Sequence, residues 1–198
     1  MLELTGWSAA WPTLVLLLVL SATILILAAL PEATLALRYE RELMMSPTGA
    51  VRWLGAHLVH LGWSHTLLNL AGLWLVAAYL GPGFGARAWA AALLVTAIAV
   101  DLGLYLGDPA LGWYVGLSGV LHGALMAGLV AAAGIPRSER WTLGILVAAK
   151  ILWEQLAGPV PGSELVSGGS VVVDAHLYGA MGGLLVGACI RAMAPRPG

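Results

Sequence analysis

Six stretches of the chain are apolar for long enough to be read as helices in lipid: residues 13–30, 64–80, 86–106, 117–133, 141–156 and 175–193. A hydrocarbon core of about 30 Å takes roughly 20 helical residues, and these stretches approach that length with few charges inside. Pro and Gly punctuate the joints, at Pro31, GPGFG (81–85), Asp108-Pro109, GIPRSER (134–140) and GPVPGSELVSGGS (158–170). The pattern predicts an all-α, polytopic membrane protein: a six-helix bundle forming one domain over residues 1–198. One connection, 31–63, is long enough to be functional or to carry structure of its own. Its Trp53 and Trp63 suit a membrane interface.

Composition agrees. The chain is 60% hydrophobic and only 10% charged, where a soluble domain carries about 25% charged residues. Mean hydropathy is +0.91. A net charge of -1 gives no nucleic-acid signal. The single Cys189 excludes an internal disulfide and a cysteine-based zinc site, and it is expected to pack as a small apolar residue. The N-terminus lacks a cationic region, and the run 13–30 exceeds a signal h-region of about 7–15 residues, so it reads as a retained first helix, with a signal peptide as the alternative. Arg87, Arg137, Arg140, Arg191 and Arg196 fall on one side of the bundle, and Arg38, Arg41 and Arg52 on the other. That bias places both termini in the cytoplasm.

The polar residues inside the apolar runs carry the chemistry. With both termini inside, the second, fourth and sixth helices run inward, which puts His65, Ser118 and His176 near three outer helix ends. His65 and Asn69 are four apart in HTLLN, and so are Ser118 and His122 in GLSGVLHG, so each pair shares a helical face. Gly119 and Gly123 on the fourth helix, and Gly179, Gly183 and Gly187 on the sixth, form smooth stripes that let two helices approach closely. A lone membrane serine usually bonds back to a carbonyl, and a lone histidine can simply tie helices together. A serine, histidines and an asparagine at one depth point to function.

Acyl transfer by a serine fits this set. Serine needs an adjacent base, and one of the histidines must be that base. The tetrahedral intermediate needs donors at its oxyanion. His65, Asn69 and the backbone N–H of Ser118, unpaired at a helix start, can supply them. No HExxH is present for a metalloprotease, no metal or other cofactor is implied, and GLSGV departs from the GxSxG elbow of soluble hydrolases.

Three charges remain. Lys150 and Glu154 are four apart and can pair with each other, or Lys150 can pair with Asp101 between helices. A structural ion pair is the simpler reading. A proton-coupled transporter is the competing function class, but the chain shows no inverted repeat. The segment 158–170 is expected to be mobile and to gate the outer mouth.

HLVHLGWSHTLLNLAGLWL, GLSG and AHLYGAMGG, in this order, resemble the rhomboid intramembrane serine proteases, from about Arg52 to Gly187. The resemblance implies that Ser118 is the nucleophile and His176 the general base, with His65, Asn69 and the Ser118 amide stabilising the oxyanion. It makes His60 structural, has Gly116 and Gly119 frame the serine, and packs Gly179 and Gly183 against the fourth helix. The first loop of rhomboids often carries Trp-Arg, whereas here Val51-Arg52 is followed by Trp53. His122 stands where many rhomboids have a tyrosine, and is expected to stack on or hydrogen-bond His176 and so orient the base. GLSGVLHG, HLVHLGWSH and the short chain resemble the rhombosortase subfamily. That implies exported substrates with a C-terminal tail of a Gly-Gly motif, a transmembrane helix and basic residues. Such tails are cut in the bacterial inner membrane near its periplasmic face, by hydrolysis or by transfer to a lipid amine. The alternative within the family is a general protease of single-pass membrane proteins.

Overall fold

The computed structural model describes residues 5–194; Arg196, used in the orientation argument, lies outside them. In chain order the elements are α1 (Thr5–Ala28), α2 (Ala33–Leu37), β1 (Tyr39–Glu40), α3 (Arg52–Gly55), α4 (Trp63–Leu80), α5 (Ala86–Gly107), β2 (Trp113–Tyr114), α6 (Ser118–Ala131), α7 (Arg137–Ala157), α8 (Ser163–Ser167) and α9 (Val173–Met193). The six long helices stand where the apolar runs predict them. Among the described residues four segments are long and apolar enough to cross a membrane: Ala10–Ala28, Trp63–Gly83, Ala86–Gly107 and Val173–Met193. The other two fall short for different reasons. α6 has only 14 residues, about 21 Å of helix. α7 starts at Arg137, upstream of its apolar run, because Pro136 precedes the helix and leaves the charged RSER segment inside its first turn.

The close approach of α6 and α9 organises the bundle. A Cβ on Gly179 would overlap the carbonyl oxygen of Gly119, and one on Gly183 would overlap that of Gly123. A Cβ on Gly187 would meet the backbone of Ala127 at 2.8 Å. The contacts are reciprocal, since Gly119 faces the carbonyl of Ala175 and Gly123 that of Gly179. The two backbones therefore touch over three successive turns, which only residues without side chains permit. α9 also packs on α5, and α4 closes the other side of α6. Around them lies an apolar core that includes Leu73, Leu80, Phe84, Trp89, Val120 and Ala124.

The first loop does carry its own structure. β1 pairs antiparallel with β2, Tyr39 opposite Tyr114 and Glu40 opposite Trp113. Strands of two residues leave no alternation to read in a sequence. Arg41 donates to the carbonyls of Leu104 (3.2 Å), Tyr105 (2.6 Å) and Asp108 (3.1 Å) at the C-terminal end of α5. Arg52 donates to Arg38 O at 2.8 Å. Trp53 is half-buried: its indole packs against Tyr39, Met44 and Ala56 and donates to Met44 O at 3.1 Å. Trp63 is 54% exposed. Cys189 also departs from expectation. It is exposed on the outer face of α9, because Gly182, Gly183 and Gly187 take the inward face.

At the opposite end Arg140 caps α6. Its guanidinium donates to Leu129 O at 2.8 Å, Ile135 O at 3.0 Å and also Ala132 O. An Arg140→Ala protein is expected to lose about 1.5–3 kcal/mol of stability, the range for hydrogen bonds to a charged donor. A lowered thermal midpoint in detergent, with unchanged activity below it, would show this.

Candidate active site

Three helix ends meet at one cavity. The chain enters it through Val115–Leu117, between β2 and α6. Gly116 takes φ +119° there, a conformation that L side chains rarely adopt. A Cβ on it would also press on the His65 ring, 2.8 Å from Cε1. The segment is fixed from two more sides, by Gly116 N–H donating to Ala56 O (2.9 Å) and by the Tyr114 hydroxyl donating to Gly116 O (2.7 Å). Ser118 follows as the first residue of α6, and no side chain caps that helix start. Its amide is one of the four that an α-helix leaves unpaired.

Ser118 Oγ lies 3.0 Å from His176 Nε2. The glycine contacts between α6 and α9 set that distance, because Gly119 and Gly179 are one and three residues past these side chains. His176 is buried at 4% exposure. On α4, His65 and Asn69 line the same cavity as Ser118 and His176. His65 Nδ1 accepts from Leu61 N–H at 3.4 Å, which leaves its Nε2 to carry a proton. Asn69 spends one amide proton on His65 O at 3.0 Å and keeps the other. His60 stands outside the long helices and meets the His65 ring edge-on, centroids 5.0 Å apart. Burial, and after it the neighbouring His65 and His57, pushes His60 down to about 3, so this ring stays neutral.

Below the serine, His122 stacks on His176 with centroids 4.3 Å apart and planes 27° from parallel. Its nitrogens turn elsewhere: Nδ1 lies 2.8 Å from Ser118 O, and Nε2 lies 3.0 Å from Lys150 Nζ. The hydrogen bond at His176 Nδ1, which the sequence offered to His122, goes to Glu154 Oε2 at 2.9 Å. Lys150 and Glu154 do pair, at 2.8 and 2.9 Å. The alternative pairing of Lys150 with Asp101 is not formed. Asp101 Oδ1 lies 3.3 Å from His57 Nε2 at the base of the first loop, because α5 packs on α3 whereas α7 packs on α6 and α9.

The cavity has a volume of about 610 Å³ and is mostly apolar, and Ser118, His176, His65 and Asn69 are among the polar groups that line it. Val160, Ser163 and Ser167, from the segment 158–170 that contains α8, line the cavity as well. Among the described residues no cluster of His, Cys, Asp and Glu could hold a metal ion.

The rhomboid domain matches residues 47–193, most of the chain and every long helix of the bundle except α1. The chain belongs to the rhomboid family. Rhomboids are intramembrane serine proteases that act on membrane proteins, and an intramembrane protease of this kind is what the chain is. No curated protein matches it. Within this rhomboid the sequence brought Ser118, His176, His65, Asn69 and His122 to one place. It missed the contact of Lys150 and Glu154 with the histidines. The signal was present, since two charges one turn apart in an apolar helix need a buried polar partner. α7 alone does not say which helix supplies it.

Proposed function

We propose that this rhomboid cleaves membrane-anchored substrates with Ser118 as nucleophile and His176 as general base. The 3.0 Å approach of Ser118 Oγ to His176 Nε2 at the wall of an open cavity carries the reading. His176 takes the serine proton as Oγ attacks the scissile carbonyl. The Ser118 amide, His65 Nε2–H and the free Asn69 amide proton are the donors available to the oxyanion. His176 then returns the proton to the leaving amine, and the ester on Ser118 is opened by water or by an amine. A transport reading would rest on Asp101, Lys150 and Glu154 acting together, but Asp101 is parted from the other two and they contact His176.

The finer reading is a rhombosortase that removes a Gly-Gly, transmembrane and basic tail from exported proteins. GLSGVLHG and HLVHLGWSH support it. A bacterial inner-membrane location, with the site near the periplasmic face, is supported by Arg87, Arg137, Arg140 and Arg191. All four lie at the helix ends away from Ser118. The opposing Arg41 is engaged by carbonyls at the end of α5, and Arg52 by a carbonyl of the first loop.

A fluorophosphonate probe on the detergent-solubilised protein tests the chemistry. Wild type is expected to be labelled, and Ser118→Ala and His176→Ala not; labelling of Ser118→Ala would refute the assignment. Mass spectrometry of the new C-terminus on a tailed substrate then separates hydrolysis, which leaves a free carboxylate, from transfer, which adds an amine.

A further inference from the structure

α7 turns most of its surface outward, yet it buries one carboxylate. Glu154 is 2% exposed, and a buried charge in a bundle of this kind is costly unless it is paired. Its partners form a closed ring that begins and ends on Ser118. The Ser118 carbonyl meets His122 Nδ1 (2.8 Å), and His122 Nε2 meets Lys150 Nζ (3.0 Å). Lys150 meets Glu154 (2.8 Å), Glu154 meets His176 Nδ1 (2.9 Å), and His176 Nε2 meets Ser118 Oγ (3.0 Å).

The chemistry of these groups gives each link one direction. A carbonyl only accepts, so the proton of His122 is on Nδ1 and its Nε2 accepts from Lys150. A carboxylate only accepts, so His176 carries its proton on Nδ1 and turns the lone pair of Nε2 to Ser118. The 3.2 Å approach of Lys150 Nζ to His176 Nδ1 is then donor against donor and is no bond.

We propose that Glu154 is a positioning residue that fixes the tautomer of His176, and that Lys150 holds the carboxylate in that role by bridging it to His122. This rests on the Ser118–His176 reading above. It turns a two-residue catalytic pair into a serine–histidine–glutamate arrangement of the kind that other protease folds complete with an acid.

Glu154→Leu combined with Lys150→Met tests it, because the pair removes the acceptor at His176 Nδ1 and leaves no buried charge unpaired. The His176 proton is then no longer held on Nδ1, and on Nε2 it blocks proton uptake from Ser118. A loss in kcat of about 10³–10⁴-fold is expected with KM little changed, the size of effect a wrong tautomer produces elsewhere. Glu154→Gln is expected to be milder, because Oε2 meets both Lys150 and His176 Nδ1 and an amide oxygen placed there accepts from both. The second readout is ¹⁵N NMR of histidine-labelled protein, with the His176 signals identified by their loss in His176→Ala. Wild type is expected to show His176 protonated at Nδ1, and the double variant at Nε2.

Wild-type kcat in the double variant, or a His176 tautomer that does not move there, overturns the proposal. If the double variant does not fold, the wild-type ¹⁵N spectrum carries the test, since a His176 proton on Nε2 overturns the proposal equally. Activity surviving in Ser118→Ala would instead refute the underlying reading, so the two failures are distinguishable.

Discussion

Ser118→Ala and His176→Ala are each expected to lower kcat by about 10⁴–10⁶-fold, and the double variant is expected to lose no more than either alone. Proton transfer from Ser118 Oγ to His176 Nε2 is one event across one 3.0 Å contact. Removing either side ends it, and the second removal takes away nothing further. Serine proteases on other folds behave in this grossly non-additive way. The residual rate would come from the donors that remain around the cavity, His65, Asn69 and the backbone amide of residue 118. Initial rates on a tailed membrane substrate, with folding checked by an unchanged melting transition, give the comparison. Multiplying losses in the double variant would show that the two residues act in separate steps, against the pairing proposed for them.

The second large effect falls on stability. Gly179→Ala adds one carbon atom, and that atom would overlap the carbonyl oxygen of Gly119. The obstacle is backbone rather than a flexible side chain, so relief requires α6 and α9 to separate over their whole contact. Overpacking that side chains absorb costs about 1–3 kcal/mol; a loss at or above the upper end of that range is expected here, seen as unfolding at lower denaturant. Activity should fall with it, since widening the helix pair moves His176 off Ser118. Gly144→Ala on α7 is the control. Nothing lies within 4 Å of a Cβ at that position, and alanine is the better helix former, so it should be neutral or slightly stabilising. Equal stability of the Gly179→Ala protein would show that the glycine ladder does not limit the packing.

These features differ in how far the sequence could reveal them. Ser118, His122, His65 and Asn69 were legible because spacing four on a helix fixes a common face. Gly119, Gly123, Gly179 and Gly183 were legible because small residues at that spacing have a known packing consequence. Together they brought α6 and α9 to one another and put the serine and histidine at the same level. Glu154 resisted because helical spacing gives the face of α7 but not its neighbour. Asp101 resisted for the same reason, since its partner His57 lies in a loop whose path depends on β1 meeting β2, a pairing two residues long. The packing of the Trp53 indole against the first loop was not legible, because an exposed indole and one packed on a structured loop leave the same trace in a sequence. α6 was expected to span, yet its helix stops at Ala131 with Arg140 over its last carbonyls.

The shortness of α6 bears on which peptides this protease can open. With its far end at the inner boundary, a helix of about 21 Å in a hydrocarbon layer of about 30 Å would set its first residue several ångströms below the outer boundary. On the proposed orientation, the bond presented to Ser118 lies within the upper turns of the substrate's own transmembrane helix. A peptide bond in an intact helix is shielded by its neighbouring turns, so the substrate must first fray there. Two adjacent glycines lower the cost of fraying by roughly 1 kcal/mol each relative to alanine. Selection for a Gly-Gly tail would then operate through the secondary structure that the substrate surrenders on entry, with no pocket needed to recognise a side chain that glycine does not have.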